Sequence, residues 1–241
     1  MSDIAIVTGA SGGIGAAIAK MIHAKSDGQL TLCLHYMGNK AAVDKVAAEI
    51  PNSFSVQANL STAEGRKTLL DAVLAKGSPF CLINNAGIDR PHEPALMVTD
   101  ESYDKIMNTN LRAPLFLMRD FAKEMARNEQ GVIVNISSVL AQKSVIGSAV
   151  YRASKAALEA LTHQFAFELG PKGIRVVAVA PGFIETPMTA EIPADQRAGI
   201  MKDVSLGAFG SPDAVAETVW HAIENQYLTG AVIAVDGGMN L

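Results

Sequence analysis

Ile4-Ala5-Ile6-Val7-Thr8-Gly9-Ala10-Ser11-Gly12-Gly13-Ile14-Gly15 is the stretch whose reading decides the fold. Its opening apolar run has the character of a strand covered on both faces. Glycines at 9, 13 and 15 then make a tight turn, and a helical pattern follows over residues 13–25. Glycine permits the turn and lets backbone amides approach an anion, which a helix N-terminus then holds. A pyrophosphate would fit such a place. The spacing is not GxGxxG, and glycine turns between strand and helix also occur without a ligand.

The same alternation continues outward from this stretch. Strand-like runs are found at Ile4–Thr8, Leu30–Tyr36, Phe54–Gln57, Phe80–Asn84, Val132–Ser137, Arg175–Ala180 and Ala231–Val235. Helical patterns lie between them at about 13–25, 39–49, 62–75, 100–127, 150–169 and 212–225. Strict alternation of this kind predicts a doubly wound α/β sheet of seven parallel strands. No linker rich in Pro, Gly or Ser divides the chain and no tandem repeat is visible, so residues 1–241 are expected to form a single domain. Two stretches break the rhythm. Residues 86–99 form one loop, containing Asp89-Arg90-Pro91-His92-Glu93-Pro94. Residues 182–211 form another, whose Phe183, Met188, Ile192, Ile200, Met201, Val204, Leu206 and Phe209 either line an apolar pocket or make a small cluster within a mobile surface loop.

Composition excludes several classes of function. Of 241 residues, 49% are hydrophobic and 18% charged, which is ample for a core and unlike a disordered chain. The net charge of −4 disfavours a nucleic-acid binder that works by neutralising phosphates. The chain opens with neither a basic segment nor a long apolar one, so no signal peptide is expected. No window of ~18 apolar residues suggests a membrane span. The two cysteines, Cys33 and Cys81, lie inside apolar runs and are expected to be buried free thiols of a cytoplasmic protein. No metal site is expected.

Three further clusters carry chemistry. Asn84-Asn85-Ala86-Gly87 ends the fourth strand, and the carboxyl ends of strands are where open α/β sheets bind ligands. Ser138 follows the fifth strand. Tyr151-Arg152-Ala153-Ser154-Lys155 opens the long helical pattern, with Tyr151 and Lys155 one turn apart on one face. A free tyrosine at pKa ~10 exchanges protons poorly at neutral pH. A unit positive charge ~4 Å away, at effective dielectric ~20, is worth ~4 kcal/mol, enough to bring it near neutrality. The Tyr-xxx-Lys spacing occurs twice. The other pair, Tyr36 and Lys40, straddles the end of a strand and has no serine thirteen residues before it, where Tyr151 has Ser138.

Together these features resemble the short-chain dehydrogenase/reductase family from end to end. Thr8–Gly15 is similar to its TGxxxGxG loop, Asn84–Gly87 to its NNAG, and Ser138, Tyr151 and Lys155 to its Ser…YxxxK active site. Asn110 matches its fourth catalytic residue, Pro181–Thr186 its PGxxxT stretch and Asp236-Gly237-Gly238 its C-terminal turn. The resemblance implies a Rossmann-type fold and hydride transfer with a nicotinamide cofactor. It implies that Tyr151 exchanges the proton, Ser138 holds the carbonyl oxygen, Lys155 lowers the tyrosine pKa and bonds the nicotinamide ribose, and Asn110 keeps a water beside Lys155. Ser137, one residue off the family spacing, would face the other side of its strand. Gly9, Ser11, Gly13, Ile14 and Gly15 would cradle the pyrophosphate. Tyr36, Asn59, Leu60, Asn85, Ala86, Gly87, Pro181, Gly182, Ile184 and Thr186 would complete the cofactor site.

NAD-specific members carry an acid at the end of the second strand, where this chain has Tyr36. NADP(H) is therefore expected, with NAD(H) as the alternative, and His35, Asn39 and Lys40 are left to meet a 2′-phosphate. Asn59 stands where the family has Asp by the adenine. Within the family the chain is most similar to 3-oxoacyl-[acyl-carrier-protein] reductases, which implies an acyl thioester substrate and an acyl carrier protein docked on basic residues near the site mouth. Lys172 is a candidate for that role, and Glu129 stands where a base is wanted. Another small carbonyl or alcohol as substrate, or a silent cofactor-binding regulator, are the alternatives. The resemblance also implies a homotetramer through helices 100–127 and 150–169 and through the last strand. Leu111, Leu115, Phe116 and Met118 on the first, and Leu158, Leu161, Phe165 and Phe167 on the second, are its candidate contacts.

Overall fold

The computed structural model describes residues 2–89 and 93–241. Seven strands join one sheet: β1 (Ser2–Val7), β2 (Thr31–Tyr36), β3 (Ser53–Gln57), β4 (Gly77–Asn84), β5 (Gly131–Ile136), β6 (Ile174–Pro181) and β7 (Val232–Val235). Their order is β3-β2-β1-β4-β5-β6-β7, and every pairing is parallel. Strand order reverses between β1 and β4, so the loops that leave these two strands open onto one crevice.

Helices cover both faces, as the near-continuous apolar strands require. On one face α1 (Gly13–Lys25), α2 (Lys40–Ala48) and α9 (Pro212–Glu224) bury Ile18, Ile22, Val43, Val46, Val215 and Val219 against the sheet. On the other, α3 (Ala63–Leu74), α5 (Ala113–Met125) and α6 (Ala149–Leu169) bury Leu69, Leu117, Phe121 and Leu158. Cys33 and Cys81 lie among them as free thiols. Burial raises the Cys33 thiol pKa, and it pushes Cys81 up to about 12, with Arg175 pulling the other way.

Two expected elements differ. The helix expected over 100–127 is interrupted: α4 (Asp100–Met107) passes into a π-turn at Asn108–Arg112 before α5 begins. Pro114 has no N–H to donate to the carbonyl four residues back, that of Asn110, so the regular ladder cannot run through this point. The stretch expected as an open loop, 182–211, carries α7 (Pro187–Ala190) and α8 (Ala194–Lys202). Thr186 and Thr189 form a reciprocal capping box, and Pro187 stands in the first turn of α7, where its missing N–H costs nothing. Arg90, Pro91 and His92 of the expected loop at 86–99 lie outside the described residues. Among the described residues no helix is long and apolar enough to cross a membrane. No three His, Cys, Asp or Glu side chains among them group as metal ligands would.

Candidate active site

The crevice at the carboxyl ends of the strands encloses about 770 Å³. Its first wall is the turn between β1 and α1. Gly9 has a φ of +68°, and a Cβ there would come within 3.1 Å of Ala86 Cα and Asn85 Nδ2. Thr8 and Asn85 weld this turn to the end of β4. Thr8 Oγ1 accepts from the amides of Asn85 and Ala86, both at 2.9 Å, and Asn85 Nδ2 donates to Thr8 O at 2.8 Å. Helix α1 starts after Gly12 with no side-chain cap and no acid in its first turn. Its first amides and the positive end of its dipole are thus available to an anion. This cradle fits the pyrophosphate of a dinucleotide.

Gly9, Ser11, Gly13, Ile14 and Gly15 all line the crevice, as do Asn59, Leu60, Asn85, Ala86, Gly87, Pro181, Gly182, Ile184 and Thr186. Tyr36 does not. It packs into the core beneath α2, and the residues after it, Met37, Gly38 and Asn39, line the crevice instead. Strand alternation explains the difference, because the last residue of β2 turns its ring toward the helix layer. The three groups assigned to a 2′-phosphate are also engaged elsewhere. His35 accepts from the Gly9 amide at 3.2 Å through Nδ1 and meets Ala58 O at 3.0 Å through Nε2, and burial lowers its pKa, keeping it neutral. Asn39 caps α2 through Ala42 N, and Lys40 pairs with Asp44 one turn on. Asn59 Oδ1 is taken by Ser61.

The catalytic end is built on β5 and α6. Ser138 leaves β5 with its Oγ accepting the Leu140 amide at 3.2 Å. Ser137 also borders the crevice, but its hydroxyl is engaged by Glu159 Oε1 at 2.7 Å. Ser138, Tyr151 and Lys155 share one wall of the crevice. Asn110 does not line it. It is fully buried in the π-turn, where its side chain accepts the Ile88 amide at 2.9 Å and donates to Ile88 O at 2.8 Å. It also reaches Ser154 Oγ at 3.3 Å. Asn110 thereby fixes the loop after β4 while the helix bulges around it.

The expected effect of Lys155 on Tyr151 is absent. Lys155 Nζ donates to Ile136 O at 2.8 Å and lies 5.6 Å from the centre of the Tyr151 ring. Burial and, after it, the Asp89 carboxylate push the Tyr151 phenol up to about 12, with the Ser138 hydroxyl pulling the other way. Burial also draws Lys155 down to about 8, opposed by Asp89. Desolvation is the largest cause of both shifts. Tyr151 is therefore held protonated at neutral pH. Asp89, whose charge acts on both groups, was not singled out in the sequence. Its place two residues after Asn84–Gly87 was the available signal.

Other expected contacts fall differently. Of the eight apolar residues named in 182–211, only Met188 lines the crevice. Phe183 stacks on Phe209 with ring centres 5.4 Å apart, and Arg197 lies 4.0 Å over the Phe209 ring while pairing with Glu185. Met118 and Leu158, expected at a subunit contact, are buried against the sheet, whereas Phe167 is exposed. Lys172 and Glu129 stand at the amino ends of β6 and β5, at the end of the sheet opposite the site. The length of α6, about 30 Å, separates Lys172 from Tyr151. Neither lies at the site mouth within one chain.

Comparison with known proteins gives this architecture a family. A family model described as enoyl-(acyl carrier protein) reductase matches residues 9–240. The chain belongs to the short-chain dehydrogenase/reductase family. It is 35% identical to a 3-oxoacyl-[acyl-carrier-protein] reductase of Rickettsia conorii, over 97% of this chain and 95% of that protein. It is 34% identical to the enzyme of the same name from Staphylococcus aureus, over 99% and 98% of the two chains. The crystal structure of a protein from Agrobacterium tumefaciens, provisionally described as a gluconate dehydrogenase, superposes with a TM-score of 0.92 at 24% identity, covering 99% of this chain and 96% of that one. That likeness shows the fold. As a member of this family, the chain is an NAD(P)-dependent oxidoreductase.

Proposed function

We propose that this protein reduces a 3-oxoacyl thioester to the 3-hydroxyacyl thioester, using NADPH. The observation that carries the reading is the convergence of Ser138, Tyr151 and Lys155 on one crevice, with the Ser138 hydroxyl hydrogen-bonded to the Tyr151 phenol. A phenol at this place carries a proton that a carbonyl oxygen can take up as negative charge develops there. When bound, the nicotinamide cofactor supplies the hydride. Ser138 orients the carbonyl oxygen by a hydrogen bond, and Tyr151 donates the proton. Lys155, buried next to both, holds the cofactor's ribose and carries positive charge below about pH 8. Asn110 acts by positioning the loop after β4.

The cofactor preference rests on what faces the crevice after β2. Met37, Gly38 and Asn39 present no carboxylate to repel a 2′-phosphate, and the Lys40 ammonium follows at the start of α2. The likeness to the 3-oxoacyl-[acyl-carrier-protein] reductases of Rickettsia and Staphylococcus supports an acyl thioester and its carrier protein as partner. The positions of Lys172 and Glu129 favour a second reading for the partner, in which the thioester arrives on a carrier that docks elsewhere or on none. We also propose a homotetramer, for which exposed Phe167 is a candidate contact, and a cytoplasmic location, which two buried free thiols support.

The test is NADPH oxidation at 340 nm with an acetoacetyl thioester, repeated with NADH. Turnover with NADPH at a kcat/KM above that for NADH is expected. A kcat/KM for NADH tenfold above that for NADPH overturns the cofactor choice. Absence of turnover with a cofactor that still binds overturns the substrate.

A further inference from the structure

Beside Tyr151 lies a small apolar cluster that the crevice does not enter. Val139, Leu140, Val204 and Met239 are buried in it, and Tyr151, Phe183 and Ile200 pack against them. None of these but Tyr151 lines the crevice. Three segments distant in sequence meet here, and polar ties hold them together. Lys143 Nζ donates to Met239 O at 3.2 Å and pairs with Asp203 Oδ2 at 3.2 Å. Ser205 Oγ donates to Gly238 O at 3.0 Å, and the Leu206 amide donates to Gly237 O at 3.0 Å. Asn240 Nδ2 donates to Gln142 Oε1 at 2.6 Å. Asp236 closes the turn by accepting the amides of Gly238 and Asn240 at 2.9 and 3.1 Å.

We propose that this clasp is a size gauge. It closes the substrate end of the site on the side of the C-terminal turn and restricts the ketone to a short substituent there. Leu140, Val204 and Met239 set the limit, and Lys143 is the positioning residue that holds Met239 in place. This inference rests on the carbonyl-reductase reading above and adds the size of the substrate to it. The physical argument is close packing. A filled apolar cluster leaves no space that an alkyl chain could enter without displacing a side chain. Ser138 leads directly into Val139, and Tyr151 touches the cluster, so a substrate held by these two hydroxyls has the cluster beside its carbonyl. The side chain to be displaced is Met239, whose backbone the Lys143 ammonium ties from outside. Methionine is unbranched and adaptable, so shortening it opens volume with little demand on the backbone.

The experiment measures kcat/KM of the full chain on acetoacetyl and 3-oxodecanoyl thioesters of N-acetylcysteamine, and on 3-pentanone and 6-undecanone, whose two arms are alike so that neither can present a short side to the cluster unless both are short. Wild type, Met239→Ala and Lys143→Met are compared. The wild type is expected to favour the shorter member of each pair by about tenfold or more. Each variant is expected to narrow that preference by about tenfold, chiefly through the KM of the longer substrate. A merely structural role would lower both members of a pair by the same factor. Lys143 is partly exposed, so its variant keeps the test valid if the core substitution fails to fold. A wild type that handles both lengths equally overturns the gauge, as do variants that leave the ratio unchanged. If the thioesters are inert while the plain ketones show the short preference, the thioester reading falls and the gauge stands. If no ketone of either length is reduced, both fall.

Discussion

Tyr36 and Lys40 stand at the same spacing as Tyr151 and Lys155, yet the two pairs end in opposite surroundings. The first pair straddles the end of β2. Its tyrosine is sunk among Val43 and Val46, and its lysine side chain is 70% exposed against Asp44, which raises the lysine pKa. The second pair lies on one face of α6, inside the crevice wall, where burial lowers the lysine to about 8. A spacing acquires chemical meaning only through the element that carries it. On a helix, four residues bring two side chains to one face, whereas across a strand end they send them to different layers.

The largest effect separating the pairs is on rate. Tyr151→Phe is expected to lower kcat by about 10²–10⁴-fold, the range for a positioned proton donor. Tyr36→Phe is expected to leave kcat within about threefold, because its ring packs and does not face the crevice. A comparable loss in both variants would break the comparison. The next effect is on stability. Between pH 8 and Lys155's ordinary 10.5, the unfolded chain binds a proton that the folded chain does not. Stability of the cofactor-free chain therefore rises with pH across that window, by on the order of 3 kcal/mol if the whole shift is realised. Lys155→Met is expected to remove this rise and to stabilise the free protein at pH 7 by about 1–3 kcal/mol, while abolishing turnover. Denaturant melts of both proteins at pH 7 and pH 9 measure the difference. A variant less stable than the wild type at pH 7 would show that the bond to Ile136 O outweighs the desolvation.

Most of the sheet was legible because strands buried on both faces leave long β-branched runs, and because the β1–α1 turn, the end of β4 and the start of α6 each carry local signals. What escaped notice depends on partners distant in sequence. β4 begins at Gly77, three residues before its apolar run, because Gly77, Ser78 and Pro79 pair with Ser2, Asp3 and Ile4. A proline discourages reading a strand, and only the neighbouring strand overrides it. The break at Asn110 had a local sign in Pro114, but its cause includes Ile88, twenty-two residues away. Asn110→Ala strips both backbone groups of Ile88 of their partner. It is expected to cost about 1–3 kcal/mol in a denaturant melt. A loss below about 0.5 kcal/mol would mean that the loop holds itself. The direction of the Tyr151 shift differs from the sequence expectation for a related reason. Charge spacing along a helix is visible in a sequence, but the low dielectric around it is not.

The smallest effect concerns the outer pair and tests whether Lys40 has any role. Its bond to Asp44 is exposed, so Lys40→Ala is expected to leave the melting temperature of the free protein unchanged. Cofactor choice is a different matter. A 2′-phosphate at the start of α2 would compete with Asp44 for the same ammonium, and a charge-assisted bond to it is worth about tenfold in affinity. Lys40→Ala is then expected to raise the KM for NADPH by about that factor and to leave the KM for NADH unaltered. Equal changes for the two cofactors would mean that Lys40 acts only through the general field of the groove. No change for either would leave the outer Tyr-xxx-Lys without function, and the preference for NADPH would have to come from the backbone amides at the start of α2.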